Sequence, residues 1–129
     1  MSIARSGAVT SNTRTTVAGD QGWNSGWEVF VDSNNDGIRS ADERLISTHD
    51  KVPDVYIIPN KPLKKYVSFI GSGEARMIGA ANGGAKQMGT FRICPVKRGV
   101  GYMLVLSGGG RVRKSEISAQ ECSVIISKL

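Results

Sequence analysis

Apolar residues along this chain come in short alternating bursts separated by glycine, proline and asparagine. Thr13 to Val17 is β-branched and alternating, and Trp27-Glu28-Val29-Phe30-Val31 alternates around aromatic residues. Arg44 to Ser47, Val55 to Ile58, Tyr66 to Ile70, Gly89 to Cys94, Tyr102 to Leu106 and Val124 to Ile126 continue the series. Such side chains fit a pleated, half-buried surface, so each burst predicts a strand. Turn formers stand between them: Gly22, Asn24, Ser25 and Gly26, then Pro53, Pro59-Asn60-Lys61-Pro62, Gly71-Ser72-Gly73, Asn82-Gly83-Gly84, Lys97-Arg98-Gly99 and Gly108-Gly109-Gly110. Many short strands at that spacing predict antiparallel sheets packed face to face. The first segment differs. Ile3, Ala4 and Ala8 recur at helical spacing, so Ile3 to Ser11 predicts the end of a helix.

A length of 129 residues suits a single domain spanning 1–129, large enough to bury its own core. With 40% hydrophobic and 22% charged residues, general disorder is excluded, and 16 glycines suit a turn-rich β domain. No apolar run approaches the ~20 residues of a membrane helix. Met1 to Ser6 has no apolar signal-like run, which leaves a cytosolic chain or one whose targeting segment has been removed. The formal charge of +6 favours polyanions such as nucleic acid or anionic lipid. Cys94 and Cys122 are either a bridged pair or two buried thiols, and composition leaves both open.

Three cations follow the last glycine run, in Gly110-Arg111-Val112-Arg113-Lys114. In an extended segment the alternate positions Arg111 and Arg113 point the same way, a fork suited to phosphate oxygens. Charge on an edge strand also blocks aggregation, which is the competing explanation. Lys97 and Arg98, in the hairpin before the preceding strand, are candidates to extend the patch. Asp32-Ser33-Asn34-Asn35-Asp36-Gly37 with Glu43 at the twelfth place satisfies the calcium-loop pattern of oxygen ligands and glycine. Its strand-like flank, and Arg39 where such loops carry an apolar residue, favour a tight polar turn, so no metal site is assigned. His49 beside Asp50 is the only histidine, and no nucleophile motif accompanies it, so no catalytic residue and no cofactor are implied. Trp23 and Trp27 read as packing residues, with an exposed Trp23 the one that would stack on bases.

The ordered set ARSGAVTSNTRTTV, GWNSGWEVFVDSNNDGIRSADERLI and GTFRICPVKRGVGYMLVLSGGGRVRK resembles the landmarks of FimT/GspH-type minor type IV pilins and pseudopilins across nearly the whole chain. The resemblance implies an α+β pilin-like fold, with a short N-terminal helix remnant packed against two antiparallel β-sheets. It further implies a preceding apolar helix, missing before Ile3, that anchors the protein in the inner membrane and later packs in the pilus core. The head would then face the periplasm, or the exterior once assembled, where Cys94 and Cys122 would form a disulfide from the F-x-I-C strand to the last strand. In FimT-like proteins of naturally transformable bacteria a G-R-x-R motif is associated with incoming DNA, and Gly110-Arg111-Val112-Arg113 matches it. The implied function is non-specific binding of double-stranded DNA through Arg111, Arg113, Lys114, Lys97 and Arg98, without catalysis, beside major and minor pilin partners. The alternative is a structural pilin or pseudopilin that primes filament assembly and binds no DNA.

Overall fold

Seven of the alternating bursts form strands, an eighth strand forms over Val112–Ile117 where no burst was expected, and two α-helices flank the series, among the described residues 1–19, 21–78 and 84–129 of the computed structural model. Asn82 and Gly83 of the predicted turn lie outside them. Helix α1 runs Ser2–Ser11 and stops at Asn12, whose left-handed backbone (φ 49°) brings its N–H to the Ala8 carbonyl. Ala4 and Ala8 are fully buried. Ile3, read as the third member of that stripe, is instead 60% exposed, so Ala4 and Ala8 form the fully buried face of the helix.

One sheet has the order β3 (Leu45–His49), β2 (Trp27–Val31), β1 (Thr15–Ala18), β5 (Tyr66–Phe69). The other has the order β4 (Val55–Pro59), β6 (Gly89–Pro95), β7 (Gly101–Leu106), β8 (Val112–Ile117). Every neighbouring pair is antiparallel. This is the α+β pilin-like arrangement expected from the sequence. Val17, Val67 and Phe69 of the first sheet meet Phe91 and Leu106 of the second, with the α1 alanines and Leu63 in the same core. Trp23 is buried there too, edge-on to Phe91, and its indole N–H donates to the Leu63 carbonyl at 2.8 Å. It packs and is not available to stack on bases.

The Val124 to Ile126 burst, expected as a strand, belongs to helix α2 (Ala119–Ser127). Ser118 decides it: the backbone there is extended, and its hydroxyl accepts the Glu121 N–H at 3.1 Å. Ser118 and Glu121 stand at the spacing of a capping box, and a helix started there carries the apolar run into its last turns. Cys94 and Cys122 are bridged, but the bridge joins β6 to this helix and not to a last strand. Cys122, Ile125 and Ile126 pack with Ile117, Met103 and Cys94 in a small second core on the outer face of the second sheet.

Because that second core is small, the cross-link carries much of the attachment of α2. A bridge with a sequence separation of 28 contributes about 3–4 kcal/mol through loop closure in the unfolded chain. Replacing both cysteines by serine is expected to lower the unfolding free energy obtained from urea melts by about that amount. Amides of α2 should lose hydrogen-exchange protection before those of β1 and β5, which lie in the larger core.

Candidate nucleic-acid interface

β8 ends its sheet, and its outer edge is open. The edge at β4 is capped by Asn24, which accepts from the Ile57 N–H at 3.0 Å and donates to the Val55 carbonyl at 2.7 Å. The edge at β5 is capped by Gln87, which accepts from the Ser68 N–H at 2.9 Å and donates to the Tyr66 carbonyl at 2.8 Å. Among the described residues no comparable group covers β8. Arg111, Arg113 and Lys114 are all exposed along it.

The glycine run before the arginines has a specific structural use. Ser107 accepts from the Gly110 N–H at 2.9 Å and donates to the Arg111 carbonyl at 2.9 Å, closing a tight turn between β7 and β8. Gly110 has φ +87°, and a Cβ there would overlap the Gly73 carbonyl oxygen. Gly73, itself at φ +88°, lies in the turn after β5, so the two sheets meet turn against turn. Arg5 of α1 closes the joint: its Nε donates to the Gly73 carbonyl at 3.1 Å, and its guanidinium packs against Gly73 and Gly110. Lys86 packs against Gly108 on the same turn. Neither Arg5 nor Lys86 stands near the motif in sequence, and no local pattern pointed to them.

The five cations named from the sequence do not gather in one place. Arg111 and Arg113 share a face of β8 by alternation. Lys114 takes the opposite face, where its ammonium lies 4.3 Å from the centre of the Tyr102 ring. Lys97 and Arg98 sit in the β6–β7 hairpin, next to Gly101, whose partner on β8 is Ile117. The 111–117 run, at about 3.3 Å per residue, separates them from Arg111 by roughly 20 Å. The ion pairs among the described residues are Arg39–Glu28 at 3.2 Å and Arg76–Glu74 at 3.1 Å, so neither Arg111 nor Arg113 is held by a carboxylate.

The acidic loop between β2 and β3 brings carboxylate oxygens of Asp32, Asp36 and Glu43 within 4.8 Å of one another. Turn hydrogen bonds account for them. Asp32 accepts from the N–H groups of Asp36 and Gly37 and from the Thr16 hydroxyl. Glu43 accepts from the N–H groups of Asn34 and Ser40. Strands flank the loop on both sides. His49 is exposed and stacks on Trp27 with ring centres 4.4 Å apart.

An N-terminal helix packed on two antiparallel four-stranded sheets defines the chain as a pilin-like protein. The chain belongs to the GspH family: the family model described as type II transport protein GspH matches residues 1–110. Comparisons with curated proteins and with solved structures returned no significant match. Membership assigns a pseudopilin or minor pilin role, among proteins that are structural and not enzymes, and implies interaction with other pilins or pseudopilins. It is consistent with a membrane-anchored periplasmic or pilus location. No helix among the described residues is long and apolar enough to cross a membrane.

Two outcomes are expected from this geometry. Gly110→Ala should destabilise the fold by more than about 1 kcal/mol, since it combines a left-handed backbone with overlap on Gly73. Gly109→Ala, which meets nothing closer than Ser107 Oγ at 3.9 Å, should be nearly neutral, and paired urea melts decide this. Burial, partly offset by the Gly37, Thr16 and Asp36 hydrogen bonds, pushes the Asp32 carboxyl up. The folded form therefore keeps its proton to higher pH than the unfolded chain. Stability from this group falls as pH rises from the unfolded value near 3.9 through the folded midpoint. A carboxyl NMR titration should place the Asp32 midpoint above that of ordinary carboxylates.

Proposed function

We propose that residues 1–129 form the single head domain of a minor type IV pilin that holds double-stranded DNA non-specifically through Arg111 and Arg113 during uptake for natural transformation. The reading rests on one observation above all: two exposed arginines at alternate positions of an open edge strand, with no carboxylate partner among the described residues. Arginine keeps its charge at every relevant pH and bonds phosphate oxygens in bidentate fashion. Phosphate contacts position a duplex without reading its sequence, so such a site would serve any incoming DNA. Lys114, from the opposite face, and Lys97 and Arg98, at the far end of the sheet, belong to this reading only as a diffuse field that speeds encounter.

In this reading a helix preceding α1 anchors the protein in the inner membrane and later packs among major and minor pilins. The head then faces the periplasm first and the exterior after assembly. The structural alternative, a subunit that only primes a pilus or pseudopilus, draws support from the same edge, because charge on an open strand prevents unwanted pairing.

The two readings part in a titration with a short DNA duplex. Arg111→Gln with Arg113→Gln should weaken binding by at least about tenfold and flatten the log-log salt dependence by about 2, near 0.9 for each phosphate no longer neutralised. A circular dichroism spectrum identical to that of the parent would show the fold intact. Affinity left unchanged in this double variant would reject the DNA site and leave the filament subunit.

A further inference from the structure

We infer that Arg92 is a third phosphate-binding arginine, placed by strand register on the same outer face of the second sheet as Arg111 and Arg113. This rests on the DNA-binding reading above and adds to it a residue from a different strand. Side chains alternate across a strand, and paired residues of adjacent strands share a face. Phe91 pairs with Leu104, and both pack toward the main core. Their neighbours Arg92 and Met103 also pair and so face outward, where Met103 packs with Cys94 and Ile117 beside α2. On the next strand Met103 pairs with Ser115 and Val105 with Arg113. Arg92, Ser115 and Arg113 are therefore on one face. The Ser107 N–H to Arg111 carbonyl bond carries the register past the end of β8 and gives Arg111 the same parity.

β7 lies between the two arginine-bearing strands, so Arg92 and Arg113 stand about 9.6 Å apart across the sheet and about 6.7 Å along it. The floor between them is made of Thr90, Val105, Met103 and Ser115, with no charge of either sign. Arg92 is exposed and borders the groove between the sheet and α2. Glu116 at the far end of β8 and Glu121 on the helix wall border that groove as well, and no ion pair joins either to Arg92 among the described residues. A phosphate strand running diagonally over this floor toward the β7–β8 turn, away from the end of β8 that carries Glu116, would meet three guanidiniums. Lys114, the cation adjacent to the motif in sequence, is turned away from it.

The test uses the chain as it stands and a fluorescent DNA duplex at two salt concentrations. It compares Arg92→Gln, Lys114→Gln and the Arg111→Gln, Arg113→Gln double variant, each checked for an unchanged circular dichroism spectrum. Arg92→Gln is expected to weaken binding by about three- to tenfold and to flatten the log-log salt slope by about 0.9, the effect of one phosphate contact. Lys114→Gln is expected to change affinity by less than about twofold, since it alters net charge alone. Full binding by Arg92→Gln alongside abolished binding by the double variant would overturn the role of Arg92 and leave Arg111 and Arg113 in place. Equal losses from Arg92→Gln and Lys114→Gln would overturn it too, because charge and not position would then set affinity. If the double variant binds as well as the parent, both this inference and the DNA-binding reading fall.

Discussion

A buried guanidinium organises the half of the molecule on which the rest is built. Arg14 is 3% exposed. Its Nε donates to Asn35 Oδ1 at 2.9 Å, and its Nη1 donates to Ser68 Oγ at 2.7 Å and to the Arg76 carbonyl at 3.1 Å. Burial pushes the Arg14 group below its usual value, and the nearby Asp32 charge, followed by Tyr66, works against that shift. A cation taken out of water this far is tolerable only when its donors are satisfied. Thr16 continues the network, donating to Asp32 and sharing a hydrogen bond with Ser68 at 3.0 Å. One side chain thus binds β5, the loop after β2 and the segment after Ala75 to the residue that leads into β1. None of these segments can move without exposing an unpaired charge.

That rigidity reaches the arginine edge through contacts and not through covalent continuity. The segment pinned by Arg14 continues from the turn at Gly73, where Arg5 and Gly110 meet. The Ala75 N–H donates to the Gly108 carbonyl at 3.2 Å, a backbone bond between the first sheet's extension and the β7–β8 turn. The hairpin that presents Arg111 is therefore fixed against the helix and the first sheet, although its strands belong to the second. Fixing a cationic edge before a ligand arrives lowers the ordering entropy that binding must overcome, which matters most when contacts are few.

Seven of the eight strands were legible because their signal is local: alternation and turn formers located β2, β4, β6 and β7 to within one or two residues, whereas the polar, cationic β8 carries no such apolar alternation. Helix α2 was missed for a different reason. Its apolar run Val124-Ile125-Ile126 is β-branched and mimics a strand, while the deciding signal lies upstream in the Ser118 and Glu121 cap. The pairing of Cys94 with Cys122 was carried by family resemblance, but its partner element followed the misread helix. The grouping of the cations failed at a third level. Whether Lys114 joins Arg111 depends on strand parity, which sequence supplies only once the segment is known to be extended. Whether Arg92 joins them depends on the register between β6, β7 and β8, a non-local quantity.

The family match ends at Gly110, the residue that makes the turn, and the arginines begin at the next position. Membership thus describes the scaffold that holds the edge, whereas the case for a polyanion ligand rests on the physics of the edge itself. Two or three phosphate contacts give modest affinity at physiological salt, and a solitary head in solution would release DNA readily. A pilin is not solitary. Copies repeated along a filament, or a basic neighbour beside one copy, raise the effective concentration of the next contact and turn weak sites into a firm hold. A site with few contacts, no base readout and strong salt dependence would be poorly matched to a regulator that must find one sequence. Under the proposed reading, it would suit a filament that grips any duplex and lets it go again.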